Sequence, residues 1–169
     1  QLGSFIHLIL ETGVKKNFVN LKEFIDLTKE LFIEEEWKNV DLEESIFLIR
    51  IFFERNKGKF NEKSLTEQCL RMKIGDFNFI GYADRIDFFK NGIGIVDYKT
   101  GKSAIYGKDR DFQLGYYALA AAKIGKVRKV TLDMLKQEKP IEFGINENGN
   151  AVEVINKRVS FNIYDIEKE

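Results

Sequence analysis

The sequence predicts an α+β or mixed α/β domain in which one sheet is covered by helices. Three observations predict it. Apolar residues recur at helical spacing through the first sixty positions, alternation and tight turns take over from Ser64, and an Ala- and Leu-rich helical stretch then separates two groups of strands.

Leu2, Phe5, Ile6, Ile9 and Leu10 line one face of a first helix, with Gly13 placed to end it. Leu21, Phe24, Ile25, Leu31 and Phe32 repeat the pattern in a second helix. A third covers Leu42 to Arg55, and because Ile46, Phe47, Ile49, Ile51, Phe52 and Phe53 surround its axis, burial between neighbours is expected. Leu65–Ile74, Phe77–Phe89 and Ile93–Lys99 read as an antiparallel meander, joined at Gly75-Asp76 and at Lys90-Asn91-Gly92. Asn-Gly is a hairpin signal because both residues tolerate the positive φ of primed turns. Arg110 to Ile124 returns to helix, with Gly125 as its cap. Strands follow at Val127–Leu135, Ile141–Ile145, Ala151–Ile155 and Val159–Ile163, the middle two parted by the turn-rich Asn146–Asn150.

The chain has 169 residues, 44% of them apolar, and one Pro, which fits a single domain over 1–169: mainly helical over 1–60, sheet and candidate catalytic core over 64–169. Lys plus Arg and Asp plus Glu both number 27, so bulk charge does not hold this protein to nucleic acid. The charge is unevenly spread, however. Residues 20–47 hold three basic and nine acidic side chains, while residues 98–139 hold ten basic and four acidic, a place for a polyanion to dock, although solvated helix faces give the same pattern. A single Cys (Cys69) and a single His (His7) exclude an intrachain disulfide, a four-thiolate iron–sulfur cluster and paired-His zinc motifs, so a metal would sit on carboxylates. Cys69, Trp37 and the many Phe residues read as core. No apolar run reaches the ~20 residues of a membrane span, and no secretory pattern opens the chain, which points to a cytoplasmic, reducing location. The first residue is Gln, as expected of a piece of a longer or processed polypeptide.

The chemistry concentrates in Gly81-Tyr82-Ala83-Asp84-Arg85-Ile86-Asp87 and Ile95-Val96-Asp97-Tyr98-Lys99-Thr100-Gly101. Period-two alternation puts Asp97 and Lys99 on one face of their strand. Folding about Asn91-Gly92 brings Asp84 near the level of Asp97, given a small bulge or stagger. Two carboxylates so close repel unless a hard divalent cation such as Mg²⁺ or Mn²⁺ neutralises them. Asp-x-Lys alone is common by chance, and an edge ion pair is the plain alternative, but Ile93, Ile95 and Val96 mark an interior strand where unpaired charge is expensive. Gln113 and Tyr117, four apart, share a helix face beyond a basic loop carrying Lys102, Lys108 and Arg110, where they could meet phosphate oxygens or a base. His7, taken by itself, reads as a structural residue, Glu67 as either a surface acid or an outer partner, and Asp87 as structural. Gly101-Lys102-Ser103 is not the end of a phosphate-cradling loop, because position 96 is Val where Gly is required.

In this order the motifs resemble the PD-(D/E)xK nuclease superfamily, in particular its RecB-like exonuclease branch: Gly3 to His7 on the first helix, Gly81 with Asp84, Asp97-Tyr98-Lys99-Thr100, then Gln113 with Tyr117. The resemblance implies a restriction-endonuclease-like core, a mixed central sheet flanked by helices with an N-terminal helical segment. It implies that Asp84, Asp97, His7 and the Tyr98 backbone carbonyl ligate Mg²⁺ or Mn²⁺, that Lys99 positions or activates water and offsets charge at the phosphate, and that Gln113 and Tyr117 orient DNA and the catalytic groups. It reverses the structural reading of His7. Lys102, Lys108 and Arg110 are expected to add DNA contacts. Relatives with an iron–sulfur cluster use four Cys, so none is expected here. The implied protein is a metal-dependent DNA nuclease, the exonuclease module of a larger repair or recombination polypeptide, with DNA and a helicase domain or subunit as partners and no membrane. Its rivals are a catalytically silent nuclease fold that binds DNA or protein, and a purely structural interaction domain.

Overall fold

A computed structural model describes residues 1–102 and 107–168; Ser103 of the Gly101-Lys102-Ser103 tripeptide and part of the expected basic loop lie outside the described residues. The helical segment holds α1 (Leu2–Lys15), α2 (Leu21–Phe32), a 3₁₀ turn (Glu35–Trp37) and α3 (Leu42–Asn56). The Asn20 side chain accepts the Glu23 N–H at 3.0 Å while the Glu23 carboxylate accepts the Val19 N–H at 3.2 Å, so both groups at the start of α2 satisfy orphan donors. Asp41 caps α3 in the same way through the Glu44 N–H at 2.9 Å. Phe5, Ile6, Ile9 and Leu10 of α1, Phe24 of α2, and Leu48, Ile49 and Phe52 of α3 close into one core, with Trp37 sealing it. Two expectations change here. Gly13 does not end α1 but lies inside it, and a Cβ there would stand 2.0 Å from Phe24 Cε1, so the residue is glycine because α2 packs against the helix backbone. Nor is α3 buried all round, since Phe47 is 59% exposed.

The sheet has seven strands in sequence order: β1 (Leu65–Ile74), β2 (Phe77–Phe89), β3 (Gly92–Lys99), β4 (Val127–Met134), β5 (Ile141–Ile145), β6 (Asn150–Glu153) and β7 (Val159–Asn162). Every neighbouring pair is antiparallel except β3 and β4, and the crossover between those two carries α4 (Gly107–Ala121). Val96 and Tyr98 face the α1–α3 core, whereas Ile93 and Ile95 join Leu114, Ala118 and Phe143 in a second core beneath α4. The central strand is thus covered on both faces, which explains its unbroken apolar run. Helix α4 starts and ends three residues earlier than expected. Gly125 is not a left-handed cap; a Cβ there would stand 2.9 Å from Ile93 Cγ2, so close approach to the sheet selects glycine. Strand β6 stops at Glu153, and Val154 and Ile155 enter a turn. Among the described residues no helix is long and apolar enough to cross a membrane.

The hairpin joining β2 and β3 also differs from expectation. Phe89 pairs with Gly92, so the chain reverses on Lys90-Asn91, and positive φ falls on Gly92 (149°) rather than on both residues of Asn91-Gly92. This register carries Arg85 opposite Val96 and therefore brings Asp84 to the level of Asp97 with no bulge between β2 and β3. The irregularity lies on the other side of β2. Glu67 of β1, which would face Asp84, is missing from the ladder and has a φ of 45°. Gly81 lies against Tyr117 of α4, and Ile86 lies in the α4 core as well, an odd separation that regular pleating cannot give. The break beside Glu67 turns Asp84 toward the cleft.

Candidate active site

The site forms where β2 parts from β3, beneath the start of α1. His7 is anchored by its Nδ1–H, which donates to the Gly3 carbonyl at 2.8 Å one turn earlier on α1. Its Nε2 faces Asp84 Oδ2 at 3.3 Å and the Tyr98 carbonyl at 3.1 Å. Asp84 Oδ2 also accepts the Tyr98 N–H at 2.7 Å. Both ring nitrogens therefore face acceptors, a setting that suits a doubly protonated ring. Burial opposes that charge, but the hydrogen bond to Asp84 and its charge outweigh it and raise the pKa to about 9. Gly3 itself is fitted to the site, since its Cβ would lie 3.1 Å from Thr100 Oγ1.

Asp97 projects from the opposite face of β3 to Tyr98 and is 6% exposed. Lys99 Nζ lies 3.1 Å from its Oδ2, close enough for an ion pair, yet the angles make no hydrogen bond and Oδ2 stays buried without one. Burial first, and the charge of Asp84 second, push the Asp97 pKa up to about 6 against the pull of Lys99. Glu67 belongs to the same group: burial and then the charges of Asp84 and Glu11 raise its pKa. Both lie within reach of sequence reasoning. Ile74 pairs with Phe77 around Gly75-Asp76, and counting back along that hairpin sets Glu67 opposite Asp84. Glu11 follows His7 by four residues and so shares its face of α1.

The buried side of the sheet steadies this arrangement. Arg85 donates to the Tyr98 hydroxyl at 2.8 Å and to Asn56 Oδ1 at 3.0 Å, and pairs with Asp87, which also accepts the Ser64 hydroxyl at 2.8 Å. Asp87 is thus part of a structural network facing α3. Tyr98 is held by its ring and hydroxyl on one side while its N–H and carbonyl serve the site.

The other expected residues divide. Tyr117 borders the cluster: burial, then the charge of Asp97, raise its pKa, while Gln113, one turn earlier on α4, pulls it the other way. Arg110 is engaged elsewhere, with Asp111 at 3.2 Å and the Ser160 hydroxyl at 3.1 Å, and its guanidinium lies over the Phe143 ring. Lys108 lies beside Ser160 and Phe161, toward β7. Lys102 is exposed, with its carbonyl accepting from Gln137. Cys69 is half-buried on β1, not in the core, and Phe77 is 54% exposed.

A hard divalent cation fits the donors present: carboxylates of Asp84 and Asp97, a carbonyl oxygen and an imidazole, with one buried carboxylate oxygen that accepts no hydrogen bond. The fit rests on donor chemistry alone: among the described residues no group of three or more His, Cys, Asp or Glu side chains is gathered closely enough to hold a metal ion. Metal binding through His7 Nε2 would require that nitrogen to be free of a proton, in competition with its contacts to Asp84 and the Tyr98 carbonyl.

Against known proteins, the family model of the PD-(D/E)XK nuclease superfamily matches residues 1–158. No curated protein matches the chain. Among solved structures, the crystal structure of SSO0001 is similar at 19% identity, covering 83% of this chain and 67% of its own, with a TM-score of 0.41.

Proposed function

Because the chain belongs to the PD-(D/E)XK nuclease superfamily, with its mixed sheet and N-terminal helices in a restriction-endonuclease-like arrangement, we propose that it is a Mg²⁺- or Mn²⁺-dependent DNA nuclease. The single observation that carries this reading is Asp97 Oδ2, buried and without a hydrogen bond, at the level of a second aspartate and beside an ammonium. The order of His7, Gly81 with Asp84, Asp97-Tyr98-Lys99, and Gln113 with Tyr117 supports the RecB-like branch and an exonuclease module of a larger repair or recombination protein, working beside a helicase domain or subunit.

Asp84, Asp97, His7 and the Tyr98 carbonyl would hold the ion, which supplies Lewis acidity at the scissile phosphate. Asp84 is fixed for this by the Tyr98 N–H, and His7 by the Gly3 carbonyl. Lys99, on the same face as Asp97, orients the attacking water and opposes the charge that grows on the phosphoryl oxygens. Tyr117 and Gln113 close the cleft from α4 and align the substrate backbone. Lys102, exposed three residues after Lys99, offers a phosphate contact, with Lys108 and Arg110 as secondary contacts from the start of α4.

The test is cleavage of end-labelled and circular DNA with Mg²⁺ or Mn²⁺ by the wild type, Asp97→Ala and Lys99→Ala. Cleavage by the wild type and a loss of about a thousandfold or more in both variants is expected. Wild-type protein that binds DNA yet cleaves neither substrate with either ion would instead make it a silent nuclease fold.

A further inference from the structure

Residues Cys69 to Tyr82 form a two-stranded arm, because β2 pairs with β3 only over Arg85–Phe89, while from Phe77 to Tyr82 it pairs with β1 alone. One face of the arm is occupied: Leu70 and Ala83 join the α4 core, and Met72 and Phe79 pack against it. The other face is open. Arg71 pairs with Ile80, Lys73 with Asn78 and Cys69 with Tyr82, so these six side chains share it. Tyr82 is 54% and Ile80 55% exposed, and Arg71 and Lys73 are exposed as well. A soluble sheet face usually carries small or polar groups at such positions. Here a large ring and a large aliphatic side chain alternate across the strands with two cations, and the arm has no acid between Glu67 at its base and Asp76 in its turn.

We infer that this face is a guide for single-stranded DNA, with bases stacked on Tyr82 and Ile80 and phosphates on Arg71 and Lys73. Charge supports a polyanion, since both cations face solvent and neither is paired with a carboxylate in an ion pair among the described residues. The exposed ring favours a single strand over a duplex, whose bases are already stacked on one another. Position supports delivery to the cleft, because Tyr82 precedes Asp84 by two residues, about 7 Å along the strand. Arg71 and Lys73 repeat at the same interval, which suits the phosphates of an extended strand. The inference rests on the nuclease reading for what lies at the end of the guide, but its test does not need cleavage.

The experiment is fluorescence anisotropy of labelled oligo(dT) and of a blunt hairpin duplex, measured in EDTA over a series of salt concentrations. Wild-type protein is expected to prefer oligo(dT). Tyr82→Ala should weaken that binding about tenfold with the salt slope unchanged, and Tyr82→Phe should restore it. Arg71→Ala with Lys73→Ala should lower the slope of log affinity against log salt by about 1.4, two phosphate contacts on a single strand. All three substituted positions are exposed, and melting curves verify that the variants fold. Wild-type affinities in the variants, or equal losses on oligo(dT) and duplex, would overturn the guide. Absence of cleavage by the wild type would remove the nuclease reading and leave these binding results standing.

Discussion

At Asp97 two costs coincide, burial of a carboxylate and its closeness to Asp84, and together they push the pKa up to about 6. At neutral pH without a cation the ionised group therefore weakens the fold. Asp97→Asn removes the charge and keeps the shape, so in EDTA at pH 7 it is expected to stabilise the protein by about 1–2 kcal/mol, a rise of a few degrees in Tm, while abolishing cleavage. A lower Tm in EDTA would show that the carboxylate is already satisfied. Glu67 separates strain from charge. With a φ of 45° it holds a backbone conformation that costs a side chain about 1 kcal/mol, so Glu67→Gly is expected to stabilise the apo protein by roughly that much. Glu67→Gln keeps the strain and removes the charge. Both changes are expected to weaken Mn²⁺ binding several-fold by calorimetry; unchanged affinity in both would place Glu67 outside the site.

At the scale of elements, what could be read from the sequence was local. The Gly75-Asp76 reversal and the alternation of Val96, Asp97, Tyr98 and Lys99 both follow from neighbours within a few residues. Gly13 misleads because its reason, the Phe24 ring, is eleven residues on in another helix. At Arg110 the sequence shows the charge but not its neighbours, because Ser160 and the Phe143 ring come from distant strands. The convergence of Asp84 and Asp97 was half legible, since the spacing is right only when the turn is moved from Asn91-Gly92 to Lys90-Asn91. The packing at Gly13 makes a sharp prediction of its own. Gly13→Ala gains helix propensity of about 1 kcal/mol but forces Phe24 from its place, and the net expected effect is destabilisation of about 1–3 kcal/mol by urea unfolding. A neutral or stabilising result would mean that α1 and α2 can separate without loss.

Over the whole molecule the site links metal, protons and stability. Asp97 has a folded pKa of about 6 against an ordinary 3.8, so the native state holds more protons than the unfolded chain between those values and stability falls as pH rises through that window. His7 has a folded pKa of about 9 against 6.5, so the stability its charged form confers is complete below 6.5 and is lost as pH rises toward 9. The two slopes have the same sign. In EDTA, Tm is therefore expected to decline as pH rises from about 5 to 9, with most of the alkaline part removed by His7→Gln. A divalent ion requires both groups deprotonated, so Mg²⁺ should raise Tm more at pH 8.5 than at pH 6, flattening the profile in proportion to its binding. Calorimetry in buffers of different ionisation enthalpy should show protons released as Mg²⁺ binds. An apo Tm that is flat across this range, or a Mg²⁺ shift largest at acid pH, would mean that His7 and Asp97 do not act as one site, and the proposed catalytic centre would lose its physical basis.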